Sequence, residues 1–135
     1  MPHIIGKNVM LREYRQEDFS PIRKWVNDRK TTEFLSAIFW FPQSETDTSE
    51  FLTRAMHGGQ NAAFFVIADV RDESYVGQLD IFDINWKLRL GIVGIVIGSD
   101  ARRGMGIGTE ALLLLQEYAF GVLGLERLEL EVVEV

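Results

Sequence analysis

Asp100-Ala101-Arg102-Arg103-Gly104-Met105-Gly106-Ile107-Gly108-Thr109 joins a β-branched run, Gly91–Gly98, to a long amphipathic stretch, Thr109–Leu123. Glycine at every second position from Gly104 to Gly108 removes Cβ atoms and lets successive backbone N–H groups turn toward one point. The start of the following helix adds unpaired donors and the positive end of its dipole. Arg102 and Arg103 at the mouth bring fixed charge suited to a phosphate or pyrophosphate. A purely steric strand-to-helix turn needs one or two glycines, so three beside an arginine pair read as an anion cradle. A P-loop is excluded because no Gly-Lys precedes Thr109. The dinucleotide fingerprint fails as well, since Gly104-x-Gly106-x-x-Thr109 lacks its third glycine. That holds although Glu129 stands near the distance of a ribose-binding acid.

Outward from this turn, Ala62–Asp69 and Tyr75–Ile84 are aromatic and β-branched runs separated by Val70–Ser74, which predicts a hairpin. With Gly91–Gly98 they make an antiparallel meander. Downstream, Ala111, Leu112, Leu115, Tyr118, Ala119 and Val122 recur at helical spacing and Gly124 suits the helix end. Leu128, Leu130 and Val132 then alternate with Glu129 and Glu131 as a last strand, parallel to Gly91–Gly98 across the helical crossover. Near the N-terminus, Asn8–Tyr14 reads as a strand in which Val9 and Leu11 alternate against Met10 and Arg12. Phe19, Ile22, Trp25 and Val26 follow as a helix starting near Gln16, or at a Ser20 cap with Pro21 in its first turn. Ser44-Glu45-Thr46-Asp47 has the form of a capping box, and the stripe Phe51, Leu52, Ala55, Met56 runs from it to Gly58-Gly59. Phe34, Phe39, Trp40 and Phe41 between the two helices read as a loop or wall, with core packing favoured over a pocket lining. The order β-α-α-β-β-β-α-β predicts an α+β fold with a mixed, mainly antiparallel sheet.

The composition narrows the chemistry. A chain of 135 residues has room for one core. Its 20 acidic and 14 basic residues give a net charge of −6, which argues against a nucleic-acid or membrane-surface binder. The absence of cysteine excludes disulfides, thiolate metal sites and a cysteine nucleophile. His3 and His57 are too few and too far apart in the sequence for a multi-histidine metal centre or a histidine triad, so no metal is expected. No apolar run approaches the roughly 18 to 20 residues that span a bilayer, and the opening lacks the layout of a secretory signal, so the expected location is the cytoplasm.

Arg103-Gly104-Met105-Gly106-Ile107-Gly108 resembles the [Arg/Gln]-x-x-Gly-x-[Gly/Ala] motif of the GCN5-related N-acetyltransferase superfamily, in the same strand-to-helix setting. Gly6-Lys7-Asn8-Val9-Met10-Leu11-Arg12, Glu17-Asp18 and Trp25-Val26-Asn27-Asp28 are similar to the branch that acetylates ribosomal-protein alanine and spermidine. The resemblance implies acetyl-CoA as co-substrate, lying where the Gly91–Gly98 and Arg127–Val135 strands splay apart. Backbone groups around Ile95 and Ile97 would bind the pantetheine arm. The amides of Arg102, Arg103, Gly104, Gly106, Ile107, Gly108 and Thr109 would hold the pyrophosphate. It further implies direct attack of a primary amine, on a small molecule or a protein N-terminus, on the thioester.

Two departures qualify what the resemblance implies. The family's usual glutamate, two residues ahead of the glycine matched by Gly94, is here Ile92, and Asp80, Asp83 and Glu33 read as surface or turn charges, so the catalytic residues are left open. The family's final helix, with its thiolate-protonating tyrosine, and its closing strands are also absent, which leads us to expect a truncated form, residues 1–135 being a single domain that pairs through its exposed C-terminal edge. The alternative is a non-catalytic acyl-CoA-binding fragment, or a subunit completed by a partner chain.

Overall fold

The computed structural model describes residues 3–32, 41–98 and 106–130. Its elements are β1 (Ile4–Ile5), β2 (Val9–Arg12), a 3-10 turn (Gln16–Asp18), α1 (Phe19–Val26), α2 (Arg29–Thr32) and α3 (Glu45–His57). They continue with β3 (Ala63–Asp69), β4 (Tyr75–Asn85), β5 (Leu90–Ile97), α4 (Ile107–Gly121) and β6 (Arg127–Leu130). The strands form one sheet in the order β1-β2-β3-β4-β5-β6. All neighbours are antiparallel except β5 and β6, which run parallel from Leu90↔Arg127 to Val93↔Leu130 on either side of the α4 crossover. The mixed sheet and its parallel last pair are as expected. Two elements were not: β1 and α2 are too short to show any periodicity.

Helices cover both faces. On one, Leu11, Ile67, Leu79, Ile81 and Val93 pack with Ile107, Ala111, Leu115 and Ala119 of α4, a stripe with a residue every fourth position. Val122, expected in that stripe, is 72% exposed, because α4 ends at Gly121 and Val122 is its C-cap. Gly124 turns the chain at φ +73°. On the other face, Met10, Val66 and Ala68 meet Ile22, Trp25 and Val26 of α1 and Leu52 and Ala55 of α3. Ser44 caps α3 as its sequence predicts: its hydroxyl accepts the Asp47 N–H at 3.0 Å while the Asp47 carboxylate accepts the Ser44 N–H at 2.9 Å. Met56 turns outward from α3 and Phe41 is exposed, so neither joins the core assigned to it; Phe34, Phe39 and Trp40 lie outside the described residues.

Because both sides of the sheet are covered, every residue of β2 is buried, Arg12 included, and the expected polar alternation does not hold there. Arg12 grips Asp18 with two bonds of 2.8 and 3.0 Å and donates its Nε–H to the Glu73 carbonyl at 3.0 Å. Asp18 also accepts the Arg15 N–H at 2.7 Å. This fastens the 3-10 turn to the strand and places the helix start at Gln16, leaving Ser20 inside α1.

Candidate active site

The first turn of α4 is held at two points. Ile107 is buried in the core. The Glu110 carboxylate accepts the N–H groups of Asn8 and Val9 at 2.9 and 2.8 Å and the Asn8 side-chain amide at 3.0 Å. Burial works to raise this carboxyl, but the three bonds outweigh it and hold the group below its ordinary range. Gly106, the N-cap, adopts φ +76°, a left-handed conformation that a side chain would strain, and no side chain caps the helix among the described residues. No described atom lies within 4 Å of a Cβ built on Gly106. The leading N–H groups of α4 have no partner within the helix, so the turn keeps donors and space together, which fits a phosphate-bearing ligand. Gly108 and Thr109 belong to the same turn, and a Cβ on Gly108 would rest 3.8 Å from the Ile95 side chain. That distance sets the helix start beside β5. Arg102, Arg103 and Gly104 lie outside the described residues.

Ile95 and Ile97 are half-buried and pack on the α4 side of the sheet. They follow the last described pair between β5 and β6, Val93↔Leu130. The expected splay falls on 131–135, outside the described residues.

Opposite α4, a cavity of about 200 Å³ opens between α1 and α3, walled by Trp25, Val26 and Phe51, with Gln78 of β4 at the sheet and the exposed side chains of Asp47, Glu50 and Arg54 around it. Trp25 donates its ring N–H to the Tyr75 hydroxyl at 2.9 Å, and that hydroxyl donates to Gln78 at 2.7 Å. Two residues further along β4, Asp80 is half-buried and accepts the Tyr14 hydroxyl at 3.0 Å and the Phe65 N–H at 3.2 Å. The Tyr14 ring meets Phe51 edge to face at 5.8 Å.

The reading of Asp80 as a surface or turn charge is therefore wrong. It occupies the middle of a strand in a sheet covered on both faces, and burial pushes its carboxyl up to about 7 against the two hydrogen bonds that would lower it. Burial likewise raises the Tyr14 phenol well above its usual value, with the Asp80 charge adding to the effect. Asp83 is exposed, at φ +50°, where β4 pairs irregularly, as a turn charge should be; Glu33 lies outside the described residues. His3 bonds Glu13 at 2.7 Å and His57 ends α3, and neither lines the cavity. Among the described residues no three His, Cys, Asp or Glu side chains converge on a metal-sized site, and no helix is long and apolar enough to cross a membrane.

Known proteins share this fold. A family model described as acetyltransferase (GNAT) domain matches residues 8–134. An N-acetyltransferase 9-like protein of Nematostella vectensis is 22% identical over 134 residues, and this chain spans 92% of itself and 66% of that protein in the match. Spermidine N-acetyltransferase from Vibrio cholerae, crystallised with CoA and spermine, superposes with a TM-score of 0.78 at 22% identity over 94% of this chain and 72% of its own. A GNAT-family acetyltransferase from Bacillus anthracis gives 0.78 at 16% identity, over 94% and 71%. At these identities the solved structures speak to the fold, and the family model speaks to descent. Because its match runs from β2 through the glycine turn to the last strand, the chain belongs to the acetyltransferase (GNAT) domain family.

Proposed function

We propose that this chain is an N-acetyltransferase that uses acetyl-CoA and acetylates a primary amine on a small molecule or a protein N-terminus. The observation that carries the proposal is the first turn of α4, with a left-handed glycine at its head and, among the described residues, neither a side-chain cap nor an atom filling the space beside that glycine. In this reading Arg102, Arg103 and Gly104 join the amides of Gly106, Ile107, Gly108 and Thr109 around the pyrophosphate, and the backbone at Ile95 and Ile97 lies along the pantetheine arm. Acetyl-CoA supplies an activated acetyl group as a thioester.

The protein's own contribution is to orient that thioester against β5 and to present an amine from the α1–α3 side, converting an encounter into an aligned approach. The α1–α3 cavity favours a slender aliphatic amine, because apolar walls suit a methylene chain and Asp47 and Glu50 suit an ammonium group. The spermidine acetyltransferase among the structural neighbours supports trying a polyamine first. The reading includes a homodimer paired through the β6 edge, where Leu130 is 55% exposed.

Release of free CoA thiol tests the reading. The expected result is release from acetyl-CoA only when spermidine or a peptide with a free N-terminus is added. Stabilisation by acetyl-CoA with no thiol released for any amine would overturn it in favour of a non-catalytic acyl-CoA-binding module.

A further inference from the structure

We propose that Asp80, held by Tyr14, is the carboxylate that meets the acceptor's ammonium group and takes its proton before acetyl transfer; this deepens the preceding reading and rests on it. The register places Asp80 of β4 directly across from Gly94 of β5, on the sheet face that α1 and α3 cover. Gly94 is the first residue of β5 past its last described pair with β6. It puts no side chain between the carboxyl and that end of β5, and a Cβ there would meet only the Phe82 ring, at 3.2 Å, among the described residues. Ile92 leaves the neighbouring position on β5 without a carboxylate.

The partners of Asp80 are all donors that bring no charge. Tyr14 and the Phe65 N–H hold chiefly Oδ1, at 3.0 and 3.2 Å, while Oδ2 has only the longer Tyr14 contact of 3.3 Å. An ionised carboxyl accepts more bonds than these, so Oδ2 has room for another donor. Among the described residues no Lys or Arg pairs with it; Arg12, the cation buried nearby, is committed to Asp18. A carboxylate partly withdrawn from water without a cation is costly, and an ammonium is the partner that relieves the cost. The titratable groups that act on it are Tyr14 after β2 and Tyr75 on β4, with Asp18 of the 3-10 turn and Arg12 of β2 next to those tyrosines, while Asp47, Glu50 and Arg54 of α3 line the cavity on the same face. With its carboxyl raised to about 7 by burial, Asp80 exchanges a proton readily near neutral pH, as a general base requires.

In the transfer itself, Asp80 takes one proton from R–NH3⁺, and the neutral amine attacks the acetyl carbon. The N–C bond forms as the C–S bond breaks, and the second proton lost by nitrogen goes to the departing thiolate. Asp80 then returns its proton to solvent.

The pH dependence of kcat/KM for parent, Asp80→Asn and Tyr14→Phe, together with the ¹³C titration of the Asp80 carboxyl with and without spermidine, tests the proposal. We expect the parent rate to fall below about pH 7, Asp80→Asn to lose about 100-fold in kcat and the acid limb with it, and Tyr14→Phe to move that limb upward. A merely structural Asp80 would leave the limb in place. Transfer in the parent with an unchanged profile in Asp80→Asn overturns the role of Asp80 and spares the proposed activity. If the parent transfers no acetyl group, the resonance decides. A midpoint displaced by spermidine upholds the ammonium contact although the activity reading has failed, and an unmoved midpoint overturns the contact too.

Discussion

Asp80 has a folded-state value above its unfolded one, the reverse of a salt-bridged aspartate, and the sign of its effect on stability follows. In an unfolded chain its carboxyl titrates near ~3.9, whereas in the fold it titrates at about 7. Between those values the native state holds the proton and the unfolded state does not. This residue's contribution to stability therefore declines as pH rises from about 4 to about 7 and is level on either side. Asp80→Asn keeps an acceptor for Tyr14 and Phe65 and removes the charge. Its advantage over the parent should be near zero at pH 4 and grow to about 2–4 kcal/mol by pH 8, at ~1.4 kcal/mol for each pH unit that separates the folded and unfolded values. Urea midpoints of the two proteins at pH 4.5 and pH 8 check this, and an advantage that is the same at both values refutes it. A substitution that stabilises the fold while slowing transfer is the pattern expected where a site holds a strained group for use.

At the scale of elements, α4 carries the clearest separation of folding from binding. Gly108 sits in its first turn in ordinary helical space, and a Cβ there makes a van der Waals contact 3.8 Å from Ile95. Gly108→Ala should leave the melting midpoint unchanged or raise it, since alanine is the better helix residue by about 1 kcal/mol. It should nevertheless weaken acetyl-CoA binding at least several-fold, because in the proposed reading the added methyl group crowds the turn whose amides hold the pyrophosphate. Calorimetric titration beside a melting curve reads both, and unaltered affinity would remove Gly108 from the cradle. Elements were legible in the sequence wherever a strong local signal stood alone: the Ser44 box, the glycines before α4, and the β-branched and aromatic runs of β3, β4 and β5. They were misread where the tertiary environment decides. Arg12 has the pattern of a solvent-facing strand residue and is buried because Asp18, six positions on, comes back to pair with it. Asp80 carried a usable signal: in the central strand of a three-strand meander, flanked by Leu79 and Ile81, an aspartate loses much of its access to water once helices cover both faces. The glycine turn before α4 was thus readable from one loop, while the Tyr14–Asp80 pair, joined only by folding, was not.

For the whole molecule, the proposed cradle would couple ligand binding to global stability. Ile107 is at once a core residue and the start of the turn, and Glu110 ties that turn to β2. A ligand that fits the native turn and has no affinity for the unfolded chain stabilises the fold by RT ln(1 + [L]/Kd), about 2.7 kcal/mol at 100 Kd. In a domain of this size each kcal/mol moves the melting midpoint by roughly 3–5 °C, so acetyl-CoA in that excess should raise it by about 10 °C. NAD and ATP carry phosphates as well, but neither has a pantetheine arm to run along Ile95 and Ile97, so the rise they cause should be much smaller. Arg103→Glu, which in the proposed reading would set a negative charge against the pyrophosphate, should abolish most of the acetyl-CoA shift without lowering the unliganded midpoint. Equal shifts for all three ligands would mean that the turn recognises phosphate alone and that β5 takes no part. An undiminished shift in Arg103→Glu would mean that the anion is held by the α4 amides without the arginine. The expected combination, a large shift for acetyl-CoA that Arg103→Glu removes, requires the glycine turn and the strand leading into it to act as one binding surface.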